Sequence, residues 1–231
     1  MIRRVGLSKS RITLFEQCPK RLWLSVHRPD LAEESTGIRA TFADGHRVGD
    51  LACSLYPDGM MIGAEHGLGR AVEETATLLD SGWKAPVFEA TFAHEGVLVR
   101  ADLLLPDGAG WHVAEVKNTT GVKAYHLGDL ATQVWVIRGA GLLVTTAAVR
   151  YLDRSFTLTR EGDYTGLFVD TMVYDQIEPI VARRPELWQA RAPCWRAQSR
   201  TGRWVRIATR PLPAHFRAIA VAPCRRRRSG R

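Results

Sequence analysis

The chain has 231 residues, 45 % of them hydrophobic, which suits one domain with a proper core, with or without an appendage. No run of eighteen apolar residues occurs, so no membrane-spanning helix is expected, and "MIRRVGLSKS" at the start lacks the apolar stretch of a secretion signal. Cysteines at 18, 53, 194 and 224 show no CxxC spacing, which argues against a disulfide framework and makes a reducing cytoplasm the expected compartment. The net charge is +8, and its uneven placement matters at the end of the chain.

In chain order, "SKSRITLFEQCPKRLWLSVHR" offers Ser8 as an N-cap and Ile12, Phe15, Leu22 and Trp23 as apolar anchors. Pro19 should break or restart that helix. After the loop "PDLAEESTG", Ile38, Phe42, Gly49, Ala52 and Leu55 recur at helical spacing until Pro57. A second such helix carries Leu68, Val72 and Leu79 inward and ends at Gly82. The period then changes. Residues 86–93, 96–105 and 111–118 read as three strands with hairpin links, the last two joined by Pro106-Asp107-Gly108. Leu127, Leu130, Ala131, Val134 and Ile137 return to helical spacing up to Gly139. Residues 142–153 read as a strand, "LFVDTMV" as a short one, and a final helix starts near Tyr174. Helices, then strands, then a helix and further strands predict an α/β sandwich with a central mixed sheet flanked by helices.

The charged residues in these strands carry the chemistry. Alternate residues of a strand share a face, so Glu115 and Lys117 point the same way and Val116 points to the core. A paired strand can bring Asp102 beside them. Two carboxylates and the Val116 carbonyl are hard oxygen donors of the kind Mg²⁺ or Mn²⁺ takes. Lys117 is placed to orient or deprotonate an attacking water and to offset phosphate charge. On the next helix Tyr125, Asp129 and Gln133 fall at i, i+4 and i+8, one polar stripe on an otherwise apolar helix. The bland alternative is a surface acid at 102 and a Glu115–Lys117 ion pair. A stripe turned to the cluster would hold substrate in place, but Tyr125 and Asp129 are expected on an ordinary solvated face, with Gln133 pointing back at the cluster.

Asp102, then Glu115-Val116-Lys117, then a helix bearing Gln133, resembles the RecB-like branch of the PD-(D/E)XK nuclease superfamily. "LSKSRITLFEQCPKRLWLSVHRP" resembles the Cys-Pro segment of helicase-linked and CRISPR-adaptation nucleases. The likeness extends over residues 7–185, and is strongest to the nuclease-like N-terminal region of a bacterial family whose larger C-terminal part has no assigned function. It implies a restriction-endonuclease-like fold and metal-dependent hydrolysis of single- or double-stranded DNA. Asp102 and Glu115 match the metal-binding acids, Lys117 the catalytic lysine, and Gln133 the glutamine of the following helix. His46 matches a further metal ligand and Glu89 an acid ahead of the first motif strand. The aromatic position four residues after Gln133 is Ile137, a departure that implies either that Trp135 or Tyr125 takes over or that the DNA contact is weakened. Relatives also hold a [4Fe–4S] cluster on one early and three late cysteines. Cys18 matches the early ligand, whereas Cys194 and Cys224 do not supply three late ones.

The last stretch reads differently. Residues 183–231 hold fourteen Arg and one acid, Glu186, whereas residues 1–182 hold 18 basic and 23 acidic residues. From about Ala190 the chain has no hydrophobic period. A nuclease-like domain over 1–189 is therefore expected, with 190–231 an Arg-rich tail, disordered or translated out of frame. Permitted codons for residues 204–220, shifted back one base, read through into a cysteine-rich pattern close to the missing late ligands. The expectation is a frameshift that removed those ligands and a C-terminal domain; resequencing the locus tests it. Two functional alternatives stand beside the nuclease: a non-catalytic nucleic-acid- or partner-binding module that retains the fold, and a truncated, inactive product.

Overall fold

A computed structural model describes residues 7–31 and 36–189. Residues 190–231, with the Arg-rich tail, Cys194 and Cys224, lie outside the described residues. The elements follow in the order β1 (Leu7–Ser8), α1 (Lys9–Gln17), α2 (Pro19–His27), α3 (Thr36–Ser54), β2 (Met60–Met61), α4 (Leu68–Asp80), β3 (Val87–His94), β4 (Val97–Asp107), β5 (Gly110–Lys117), α5 (Ala124–Gly139), β6 (Val144–Leu152), β7 (Phe168–Met172) and α6 (Tyr174–Ala182). The strands make one mixed sheet in the order β2-β3-β4-β5-β6-β7, with β1 on β4. The β3–β4, β4–β5 and β6–β7 pairs are antiparallel and β5–β6 is parallel. The expected α/β sandwich with a mixed sheet is what forms.

Every element of appreciable length falls where its period placed it. Pro19 opens α2 as its first residue, where a missing N–H costs nothing. The two-residue strands β1 and β2 carry too little periodicity to be read locally; long-range pairing creates both. The β4–β5 turn also differs from expectation. Pro106 and Asp107 stay in the strand, paired with Trp111 and Gly110, and the reversal falls to Gly108 and Ala109. Gly108 takes a left-handed φ of 59° there, which is free of Cβ strain.

Two apolar layers flank the sheet. The larger joins α1, α4, α5 and α6 through Ile12, Ala71, Leu130, Val134, Ile137 and Ile177 to Val99, Leu104 and Val113. The smaller lies under α3 and gathers Ala52, Phe88, Leu103 and Ala114. Helix α5 is buried from Leu130 to Ile137 on every side, which is why its apolar pattern is nearly continuous. Each buried Leu, Ile or Val contributes about 1.5–3 kcal/mol by leaving water.

Candidate active site

Strands β4 and β5 pair only from Leu103–Ala114 to Asp107–Gly110. Past Ala114, β5 stays with β6 as far as Lys117, while β4 stays with β3 back to Val97. The sheet therefore forks. Strand β1 fills part of the vacated β4 edge by pairing Leu7 and Ser8 with Val97 and Leu98. Asp102 and Glu115, the residues next in register after the last pair, stand at the apex of the fork. Asp102 closes the gap with its side chain: its Oδ2 accepts the Val116 N–H at 2.8 Å.

The neighbouring strand is irregular at the same level. Phe88–Leu103 and Ala90–Ala101 are paired, and between them Glu89 and Asp102 drop out of the ladder. Glu89 adopts a φ of 54°, which costs a residue with a Cβ about 1–2 kcal/mol. The alternation of β4 slips here as well. Val97, Val99 and Ala101 and then Leu104 join the larger core, while Leu103 joins the smaller. Such local irregularity re-aims side chains out of a sheet's regular faces. The result is one level of the sheet that carries Glu89, Asp102 and Glu115 on three successive strands.

A cavity of about 320 Å³ opens over this level, lined by Glu89, Asp102, Glu115, Val116 and Lys117 from the strands. Helix α3 forms its other wall with Gly45, His46, Gly49, Asp50 and Cys53. A Cβ built on Gly45 or Gly49 meets nothing within 4 Å, so bare helix backbone faces open space at both positions. His46 is exposed and lies on this wall, one turn before Asp50.

Glu115 is the most heavily contacted acid. It is 1 % exposed. Its Oε1 accepts from Lys9 Nζ and from Lys117 Nζ, each at 2.6 Å. Its Oε2 accepts from Gln133 Nε2 on α5. Burial disfavours its charge, but Lys9 and Lys117 outweigh burial and hold the carboxyl down at about 2. Lys117 is shifted the other way: burial opposes its charge, yet Glu115, with Asp129 and Asp102, raises it above the usual lysine range. Asp102 behaves in the opposite sense from Glu115. Burial and the Glu115 charge push it up to about 7, against the pull of Lys9 and the Val116 N–H. Two neighbouring carboxyls thus separate into one firmly ionised and one poised near neutrality, a division common at reactive sites.

A ring of contacts fixes this arrangement. Lys117 Nζ lies 3.6 Å from Asp129 Oδ2. Asp129 Oδ1 accepts from Thr13 Oγ1 at 2.8 Å, one turn along α1 from Lys9. Lys9, Glu115, Lys117, Asp129 and Thr13 therefore tie α1, β5 and α5 together. Asp129 is no solvent-facing residue, contrary to expectation. Tyr125 does stay outside, 51 % exposed, with its ring against His126 and Lys123. Ile137 is fully buried in the larger core. Trp135 is 8 % exposed and packs edge-on against His94 at 5.5 Å. Glu89 pairs with Arg100 at 3.1 Å.

The donor set fits a hard divalent cation in its chemistry. Asp102 and Glu115 are carboxylates at one level of one cavity. Among the described residues no group of three His, Cys, Asp or Glu side chains is gathered closely enough to enclose an ion, so His46, Asp102, Glu115 and the Val116 carbonyl do not form a ready-made cage. An iron–sulfur cluster needs four ligands. The described residues offer Cys18, at the α1–α2 junction, and Cys53, on the cavity wall, both free, and these do not make such a site. Burial, with Glu89 and Asp102 nearby, pushes the Cys53 thiol up to about 12.

Sequence reasoning missed Lys9 and Asp50. Asp50 follows His46 by one helical turn, a signal available from spacing alone. Lys9 had none, because its approach to Glu115 depends on β1 pairing with a strand about ninety residues away.

No family model and no curated protein matches the chain. Among solved structures, that of SSO0001 is similar at 12 % identity with a TM-score of 0.38, covering 84 % of this chain and 85 % of that one. The structure of LHK-Exo in complex with dAMP is similar at 12 % identity with a TM-score of 0.38, covering 81 % and 91 %. Among the described residues no helix is long and apolar enough to cross a membrane.

Proposed function

We propose that this chain is a metal-dependent nuclease that hydrolyses phosphodiester bonds in DNA. The observation that carries the reading is the fork: Asp102, Glu115 and Lys117 converge at the one level where β4 and β5 part, and a cavity opens over them. Asp102 and Glu115 are the residues to hold Mg²⁺ or Mn²⁺, with His46 and the Val116 carbonyl as further donors. Such a cation would supply positive charge to a phosphate and lower the pKa of a bound water. The chain's own residues do the rest. Gln133 and the two lysines hold the Glu115 carboxylate in one orientation. Lys117, lining the cavity, holds an attacking water or a phosphate oxygen. Gly45 and Gly49 leave room for the substrate backbone.

The deciding experiment incubates the full chain with single- and double-stranded DNA in Mg²⁺, Mn²⁺ or EDTA, beside Lys117→Ala. Cation-dependent cleavage that Lys117→Ala loses is expected. Equal background from both proteins defeats the reading.

A second reading has one observation in its favour. Lys9 and Lys117 together saturate Glu115 Oε1, as they would in a site that has exchanged catalysis for structural charge pairing. A non-catalytic module of this kind binds DNA in EDTA as tightly as in Mg²⁺ and leaves it intact.

A further inference from the structure

The two lysines on Glu115 are not equivalent. Both ammonium groups lie 2.6 Å from the same oxygen, and both side chains are 21 % exposed. Among the described residues lining the cavity, Lys117 is present and Lys9 is not. Lys9 arrives from elsewhere: it is the first residue of α1, directly after β1 docks on the vacated edge of β4. Thr13 on the next turn anchors that helix to Asp129. Lys9 is therefore held by two elements that have no part in the cavity, and Lys117 by the strand that forms its floor.

Charge adds to the argument. With Asp102 and Glu115 ionised, the two lysines balance the two acids. A divalent cation between those acids adds two positive charges, which Asp129 and the cavity-lining Asp50 offset, Glu89 being paired with Arg100. A phosphodiester anion entering the cavity therefore needs a cationic group of its own, and among the described lining residues Lys117 is the lysine in place to supply it. If Lys117 alone served Glu115 Oε1, engaging the substrate would leave that buried oxygen without its ammonium donor.

We propose that Lys9 is a positioning residue: it keeps the Glu115 carboxylate neutralised and oriented from outside the cavity, which frees Lys117 to leave Glu115 and engage the phosphate or the attacking water. The inference rests on the nuclease reading. It makes an unusual demand on a substitution, because removing Lys9 must have opposite effects on metal binding and on turnover.

Lys9→Gln retains a hydrogen-bond donor for Glu115 and removes only the charge. Mn²⁺ binding to the full chain, measured by calorimetry without DNA, should tighten by about tenfold because a repelling ammonium has gone. The kcat for cleavage in saturating Mn²⁺ should fall by about a hundredfold with KM little changed, as Lys117 is retained on Glu115. Lys9→Arg, which restores charge, should recover most of both. Simple damage to the fold weakens metal binding and activity together and lowers the melting temperature, and that outcome overturns the proposal. So does a Lys9→Gln protein with unchanged metal affinity and kcat. If Lys9→Gln does not fold, Lys9→Arg decides: wild-type metal affinity and kcat support the proposal, and a loss of both overturns it. Wild-type protein that neither binds Mn²⁺ nor cuts DNA defeats the nuclease reading itself and this inference with it.

Discussion

The two halves of the β4–β5 pair make an instructive contrast. Toward the hairpin, from Leu103–Ala114 to Asp107–Gly110, the ladder is continuous and the apolar side chains divide between the two cores. Its one acid, Asp107, takes hydrogen bonds from the Thr145 and Thr146 hydroxyls, which hold its carboxyl below the usual range. Beyond Ala114 the strands part and the charged residues gather. A continuous ladder satisfies its own backbone groups and leaves no room between strands. An interrupted one needs a substitute, here Asp102 on the Val116 N–H, and creates the space in which acids and lysines meet.

Substitutions at the two ends of the same strand pair should therefore differ sharply. The largest effect belongs to Glu115→Ala. It strands Lys9 and Lys117 beside each other without their shared acid, and should cost about 3–5 kcal/mol by denaturant unfolding while abolishing cleavage. Lys117→Ala should lower cleavage by about 10²–10⁴-fold yet leave folding intact, which a comparison of kcat with the urea midpoint will show. Gly49→Leu fills the cavity from the α3 wall and should reduce cleavage about a hundredfold through misplaced substrate. The same change removes a helix-interior glycine, so the melting temperature should hold or rise. An activity loss accompanied by unfolding contradicts that account of the wall.

A subtler contrast concerns pH. The Asp102 carboxyl is raised to about 7 in the folded chain, from about 4 when unfolded. The folded state then binds its proton more tightly. The associated stability is complete below about pH 4 and is lost as pH rises through 7. Metal-free protein should lose melting temperature over that range, and added Mg²⁺ should restore it more at pH 8 than at pH 5. Equal Mg²⁺ effects at both pH values remove Asp102 from the ligand set. Smallest of all, Asp107→Asn at the hairpin end should leave cleavage unchanged, and a marked loss there would extend the site well beyond the fork.

How far the site could be read from sequence depends on the range of each contact. Gln133 was legible because a helix repeats every 3.6 residues and Asp129 lies one turn before it. Glu115 and Lys117 were legible because strand neighbours two apart share a face. The left-handed Glu89 was not, since nothing in "PVFEATFA" marks one residue for a positive φ. Spacing alone places Asp129 on a solvated face, and Thr13 of α1 and Lys117 draw it inward instead. Pro106-Asp107-Gly108 reads locally as the reversal, yet Pro106 stays in the strand because a strand position whose N–H is not needed tolerates a proline.

The sequence by itself determined the element order, the mixed sheet and the shared strand face of Glu115 and Lys117, because periodicity and short spacings are local properties of a chain. Only the tertiary structure decided that β4 and β5 fork, that β1 docks in the gap, and that Lys9 meets Glu115. Those outcomes come from pairings between distant segments, where backbone hydrogen bonds compete for the same strand edge and no local pattern records which partner wins.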